Sequence, residues 1–292
     1  MTATNSTPNV QPIALSDVTL SVTTWGDPHN PPVLLLHGLG DTATVWSEFA
    51  PTLTDRFFAI APDLRGHGDS DKPESGYGFD RLIADLEDLL ARFGLDSVHA
   101  IAHSWSAKLL PIWAQRQPDR FHSLTLIDPF FIGTMPGWLR ITFPLLYQVL
   151  PFVKAMGPYE SRETAIAFGK EMKQYRGWSA LQQRVFEASI EAKPGGSWGS
   201  KFTVAARDGI FEEVMHVAGL TEPIAIPTLF VQPESGLNRS DWQFAPYRKF
   251  LVNLDWAIVP GNHWPFLVEP EPFSGAVRSF LHRSGSYTKP RK

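Results

Sequence analysis

The sequence predicts an α/β protein with a mostly parallel central sheet, helices on both faces and a helical cap inserted late in the chain. Three observations carry this. Short continuous apolar runs alternate with amphipathic stretches between residues 33 and 127, which is how strands buried on both faces and their crossover helices look in one dimension. The alternation stops after Asp128 and gives way to helical periodicity as far as about Pro227. It then resumes with two further apolar runs, 228–232 and 254–259.

The elements follow in order. Residues 1–12, MTATNSTPNVQP, have neither a basic region nor an apolar run; they fail as a signal peptide and read as a loose arm. Residues 13–24 are β-branched and alternating, and the turn residues from Asp27 to Pro32 follow, as at the start of a β-hairpin. Val33, Leu34, Leu35 and Leu36 form a buried strand that runs into Gly38 and Gly40. Val45, Trp46, Phe49 and Leu53 recur at helical intervals and predict a helix over 42–53, followed by a strand at 57–61. An amphipathic helix over 80–93 buries Leu82, Ile83, Leu86, Leu89, Leu90 and Phe93 and stops at Gly94. A strand at 97–102, a helix at 104–117 and a strand at 123–127 complete the first half.

Residues 130–222 offer helical stretches at about 138–156, 161–175, 179–192 and 202–217, with no evident strand. So long an excursion is not a structureless loop, and it is expected to be a cap or lid over the sheet. The sheet domain is then residues 13–129 and 223–284, and a basic tail, 285–292, follows.

Composition narrows the function classes. Hydrophobic residues make up 43% of the 292 residues and charged residues 19%, as in an ordinary soluble globular domain. Ten tryptophans suggest large apolar surfaces, and a pocket for a small apolar molecule. A net charge of -4, with the only basic cluster at Lys289, Arg291 and Lys292, argues against nucleic acid as a partner. Without cysteine there is no disulfide, thiolate nucleophile or Cys-ligated metal, so a cytoplasmic location is the default expectation. The most apolar stretch, 138–153, contains Arg140, Pro144 and Pro151 and is too short to span a bilayer. No metal-ligand spacing and no cofactor motif of weight is present.

Three segments carry chemistry. In Ala102-His103-Ser104-Trp105-Ser106 a Ser stands between an apolar strand and a helix, with small residues two positions to either side. This is the pattern of a nucleophile elbow, although glycine is usual at both flanking positions; a helix-capping Ser is the plain alternative. In His37-Gly38-Leu39-Gly40-Asp41 a Gly-rich loop follows a strand. There the Leu39 N–H, paired with that of Trp105, is suited to hold the oxyanion of a tetrahedral intermediate. The same stretch fits G-x-G-x-x-A, with Asp63 near the spacing of a ribose-binding acid, a weak fingerprint for a dinucleotide. In Gly261-Asn262-His263-Trp264-Pro265 a His sits in a turn beyond the last strand, where a neutral imidazole can act as general base.

Together with Asp63-Leu64-Arg65-Gly66-His67-Gly68-Asp69-Ser70, these segments resemble the α/β-hydrolase fold superfamily, over about residues 13–282. The resemblance implies a capped serine hydrolase with Ser104 as nucleophile, His263 as base, and Leu39 and Trp105 as donors; the Asp-Arg-Gly stretch is then a structural turn and His67 a bystander. The acid is open. Its usual position in this family falls on Gly236, so Glu234 or Asp241 stands in, or Asp128 at the end of the preceding strand, which is favoured. Trp105 is similar to a halide-binding residue of haloalkane dehalogenases, but that chemistry requires a carboxylate nucleophile and residue 104 is Ser. The expected activity is hydrolysis of an apolar carboxylic ester or related acyl or C–C bond through an acyl-enzyme. The alternatives are a non-hydrolytic small-molecule receptor and a cofactor-free lyase or perhydrolase.

Overall fold

The computed structural model describes residues 7–135 and 155–284. The first six residues of the expected arm, nearly all of the expected helix at 138–156, and the basic tail lie outside the described residues.

The chain opens with an antiparallel hairpin, β1 (Asn9–Ala14) and β2 (Thr19–Trp25). It continues through β3 (Pro32–Leu36), two single 3-10 turns (Ala43–Trp46 and Ala50–Leu53), β4 (Phe58–Pro62) and α1 (Phe79–Arg92). Next come β5 (Val98–His103), α2 (Ser106–Arg116) and β6 (Phe121–Ile127). The insert contributes α3 (Arg162–Glu171), α4 (Ala180–Ser189), a small hairpin of β7 (Ile190–Ala192) and β8 (Trp198–Ser200), and α5 (Val204–His216). The chain then returns through β9 (Thr228–Ser235), α6 (Asp241–Phe250), β10 (Leu254–Asn262), α7 (Pro265–Val268) and α8 (Pro270–Ser284).

Eight strands form one sheet in the order β1-β2-β4-β3-β5-β6-β9-β10. β1 and β2 are antiparallel to their neighbours, and all other pairs are parallel. The order reverses at β3, which passes to β4 on one side and has β5 on the other. In open α/β sheets a ligand crevice opens at such a reversal, outside the carboxyl ends of the strands. Register brings those ends level: Leu36 lies opposite Ala102, His103 opposite Ile127, and Ile127 opposite Val231.

Both faces of the sheet are covered, which explains the unbroken apolar runs. Leu34 and Leu36 point into the layer of α1 and α2, and Val33 and Leu35 into the opposite layer with Trp46, Phe266 and Phe273; all four are fully buried. Each such side chain contributes about 1.5–3 kcal/mol.

Four departures from the sequence reading have local causes. The expected arm of residues 1–12 already contains β1 from Asn9, because an edge strand needs only one bonded side and tolerates Pro12. The expected helix over 42–53 is two 3-10 turns: Pro51 has no N–H to continue an α-helix. The insert is not all helical, since Pro194-Gly195-Gly196 turns the chain back between β7 and β8, and both glycines have positive φ. Helices α6 and α8 were not expected, as Pro246 and the Pro270-Glu271-Pro272 start interrupt their apolar periodicity.

Candidate active site

Ser104 sits between β5 and α2 with φ +60°, a left-handed conformation in a non-glycine residue. Two hydrogen bonds to β6 and the residues after it hold it there: its N–H donates to the Ile127 carbonyl (3.0 Å), and its carbonyl accepts from the Phe130 N–H (3.0 Å). The two flanking positions that lack glycine are fully buried. At Ser106 the side chain does work that glycine would not. Its Oγ accepts the His103 N–H (3.1 Å) and has the carbonyls of His103 (2.8 Å) and Leu36 (3.1 Å) within reach of its one proton, so it ties β3 to β5 below the elbow.

His263 follows β10 and points its Nε2 at Ser104 Oγ, 2.9 Å away, while its Nδ1 lies 2.6 Å from Asp128 Oδ2. Asp128 is fully buried. It also accepts the Leu237 N–H (2.7 Å), the Asn238 N–H (3.2 Å) and Asn238 Nδ2 (2.8 Å). Among the sequence candidates for the acid, Asp128 alone is joined to His263; Glu234 and Asp241 are exposed to solvent. A Cβ on Gly236 would lie 2.6 Å from Asp128 Oδ2. The position where the family usually carries its acid is therefore glycine because the Asp128 carboxylate fills that space.

Burial dominates the electrostatics. It pushes the His263 imidazole below its ordinary value, aided by His103, and Asp128 opposes this. For Asp128 burial acts upward, but His263, the Leu237 amide and Asn238 outweigh it and hold the carboxyl below its ordinary value. The pair is thus set as carboxylate and neutral imidazole, with a proton on Nδ1 facing Asp128 and a lone pair on Nε2 facing Ser104.

The Gly-rich loop is fixed from beneath. His37 Nε2 accepts the Leu64 N–H (2.9 Å), which leaves Nδ1 to donate to the Gly38 carbonyl (2.8 Å). Asp63 accepts the Ala43 N–H (2.6 Å) and the Asp69 N–H (2.9 Å), and Gly68 is glycine because a Cβ there would overlap the Asp63 carboxylate. Arg65, buried, bonds Asp85 through Nε and Nη2 (2.7 and 2.8 Å) and Asp17 through Nη2 (2.7 Å). The Asp-Arg-Gly stretch is consequently a clasp, and Asp63 is spent inside it. This removes the dinucleotide reading, whose ribose acid it would have been. Neither the Leu39 nor the Trp105 backbone N–H donates to another group among the described residues. His67 is buried and stacks on Phe202 (ring centroids 4.3 Å), and it takes no part in the hydrogen bonds of Ser104.

A cavity of about 180 Å³ adjoins Ser104 and His263. Phe130, Ile210, Phe211 and Val214 give it an apolar wall, and Leu39, Asp41, His103 and Trp264 close the other side. A larger recess of about 830 Å³ lies around Phe121, Pro227 and Leu254, where the strands begin, and neither Ser104 nor His263 lines it. The described residues contain no cluster of three metal-ligating side chains. The sequence reading passed over three buried polar residues near the site: Asp41, His103 and Lys108. Lys108 Nζ donates to the carbonyls of Phe131 (2.8 Å), Gly133 (2.7 Å) and Val214. A charged residue four places after Ser104, among otherwise apolar and small residues, was the available signal.

Comparison with known proteins agrees with this architecture. Residues 31–152 match the family model described as alpha/beta hydrolase fold. The chain is 25% identical over 260 residues to a mouse sn-1-specific diacylglycerol lipase ABHD11, covering 88% of this chain and 82% of that protein. It is 24% identical over 302 residues to a fluoroacetate dehalogenase of Burkholderia sp., covering 96% of each. A soluble epoxide hydrolase of Corynebacterium sp. is 33% identical over 116 residues, 39% of each chain. The solved structure of E-2-(acetamidomethylene)succinate hydrolase superposes with a TM-score of 0.78 at 23% identity, covering 94% of this chain and all of that one. A thioesterase domain from the curacin biosynthetic pathway gives 0.76 at 17% identity, over 93% and 99%. The reversed strand order, the elbow and these similarities show that the chain has the α/β-hydrolase fold, and the homologues and fold neighbours it resembles are hydrolases.

Proposed function

We propose that this chain is a serine hydrolase of small, apolar carboxylic esters or related acyl compounds, working through an acyl-enzyme on Ser104. The observation that carries the reading is the continuous chain of hydrogen bonds Ser104–His263–Asp128. His263 Nε2 takes the Ser104 proton as Oγ attacks the acyl carbon, and the new oxyanion is held by the N–H groups of Leu39 and Trp105. The intermediate collapses, the bond to the leaving group breaks, and His263 returns the proton to that group. Water then enters and gives a proton to His263 as its oxygen attacks the acyl carbon; the bond to Ser104 Oγ breaks, His263 returns the proton to Oγ, and the acid leaves. Asp128 orients the imidazole and stabilises it when protonated.

Substrate size follows from the cavity. At about 180 Å³ it is close to the engineered cavity of about 150 Å³ that admits benzene, so the acyl part is a short-chain or single-ring group rather than a long lipid chain. No Arg or Lys lines that cavity among the described residues, which disfavours a carboxylate-bearing acyl group. The dehalogenase and epoxide hydrolase relatives do not extend to this chain under this reading, because an alkyl-enzyme ester needs a carboxylate at position 104. Among the described residues no helix is long and apolar enough to cross a membrane, and a cytoplasmic location is proposed with the rest.

The test is hydrolysis of short p-nitrophenyl esters by the parent and by Ser104→Ala. The substitution is expected to lower kcat by about four to six orders of magnitude. Equal turnover by the two proteins would refute the assignment.

A further inference from the structure

Among the described residues the cavity beside Ser104 has one acidic wall residue, Asp41, and the mechanism above leaves it without a role. Asp41 lines the cavity, yet its side chain is only 2% exposed. Its Oδ2 accepts Trp264 Nε1 at a long 3.3 Å and lies 3.6 Å from His103 Nδ1, a buried nitrogen with no hydrogen bond. Its Oδ1 accepts none among the described residues. Space for the carboxylate is kept deliberately: a Cβ on Gly38 would lie 2.8 Å from Asp41 Oδ2 and 2.6 Å from His103 Nδ1.

Its place relative to the reacting bond follows from the proton path. His263 must hand its proton to the leaving group, so that group lies on the imidazole side of the scissile bond. The Trp264 and His103 rings flank His263 at 4.7 and 4.5 Å between centroids, and both lie against Asp41. Beyond Leu39 and Trp264 a second cavity of about 90 Å³ continues into the insert, lined by Tyr175, Gln174 and Ser189 among others. The two cavities share Leu39 and Trp264, and Leu39 supplies the donor that marks the scissile carbonyl. The apolar wall formed by Phe130 and α5 therefore takes the acyl part, and the side of Asp41 takes the leaving group.

We propose that Asp41 determines leaving-group specificity by selecting esters whose leaving group carries a hydrogen-bond donor, a hydroxyl or an ammonium, in a short chain. The proposal rests on Ser104 hydrolysis and refines it. A site built to receive a donor discriminates strongly against an isostere that lacks one, because its own acceptor is then left unpaired.

The test compares three butyrate esters: 2-hydroxyethyl, 2-methoxyethyl, which accepts but cannot donate, and propyl, which does neither. In the parent the 2-hydroxyethyl ester is expected to exceed both others in kcat/KM by about tenfold or more. In Asp41→Ala the ratio, taken within that one protein so that a general loss of activity cancels, is expected to fall to about one. Asp41→Asn, whose amide oxygen still accepts, is expected to retain most of it. A parent that treats the 2-methoxyethyl or propyl ester as well as the 2-hydroxyethyl ester overturns the proposal, with no variant needed. So does an unchanged ratio in Asp41→Ala. A parent that hydrolyses none of the three removes the Ser104 reading as well, and that outcome is distinct from hydrolysis without preference.

Discussion

Ser104 keeps a left-handed backbone that costs an L-residue about 1–2 kcal/mol, and its neighbours enforce it through Ile127 and Phe130. Strain of this kind persists where it serves a purpose, and here it lifts Oγ to His263. The proposed acid is testable at the same scale. Asp128→Asn should lower kcat by about 10⁴-fold by losing control of the imidazole tautomer, whereas Glu234→Gln should change it little; steady-state kinetics of the two variants decides. The pH profile gives a second check. His263 must be neutral to accept the Ser104 proton, and burial moves its titration below 6.5. The acid limb of kcat/KM should therefore have its midpoint below pH 6.5, and a midpoint above that value contradicts the geometry. Ser104, His263, Leu39 and Trp105 could be proposed from the sequence because each sits in a local motif. Asp128 was legible only as one of several candidates, since its link to His263 spans 135 residues and the evidence for it, Gly236 yielding its space, is three-dimensional.

Among the elements, α2, α5 and the segment after β6 are joined by one side chain. Lys108 projects from α2 and donates to carbonyls of Phe131, Gly133 and Val214, and burial pushes its ammonium down to about 7. Phe130 and Val214 line the cavity beside Ser104, so the lysine also fixes the wall of that cavity. Lys108→Met fills a similar volume but leaves three carbonyls without a donor, and should cost about 2–4 kcal/mol of stability, read as a lower denaturant midpoint. A change below about 0.5 kcal/mol would show that those carbonyls find other donors. Regular elements with an apolar face, such as α1 and the parallel strands, were readable from periodicity. The two 3-10 turns, the β7–β8 hairpin and α6 were not. In each, prolines or short length break the period that sequence reasoning depends on, and tertiary packing decides instead.

For the whole molecule, the reversal of strand order at β3 gathers the Gly-rich loop, the elbow and Asp128 at one end of the sheet, and the loop after β10 brings His263 to them. Size alone misleads, since a recess of about 830 Å³ lies at the opposite ends of the strands, far from Ser104 and His263. The α/β class and the parallel sheet were visible as a pattern of runs. The antiparallel β1 at the edge was not, because an edge strand with a proline carries little apolar signal. The central claim, that Ser104 is an activated nucleophile, is tested most directly by labelling the intact protein with a fluorophosphonate and mapping the modified residue by peptide mass spectrometry. The account predicts stoichiometric modification of Ser104, abolished in Ser104→Ala and strongly slowed in His263→Ala. Absence of labelling in the folded parent, or modification at another serine, contradicts it.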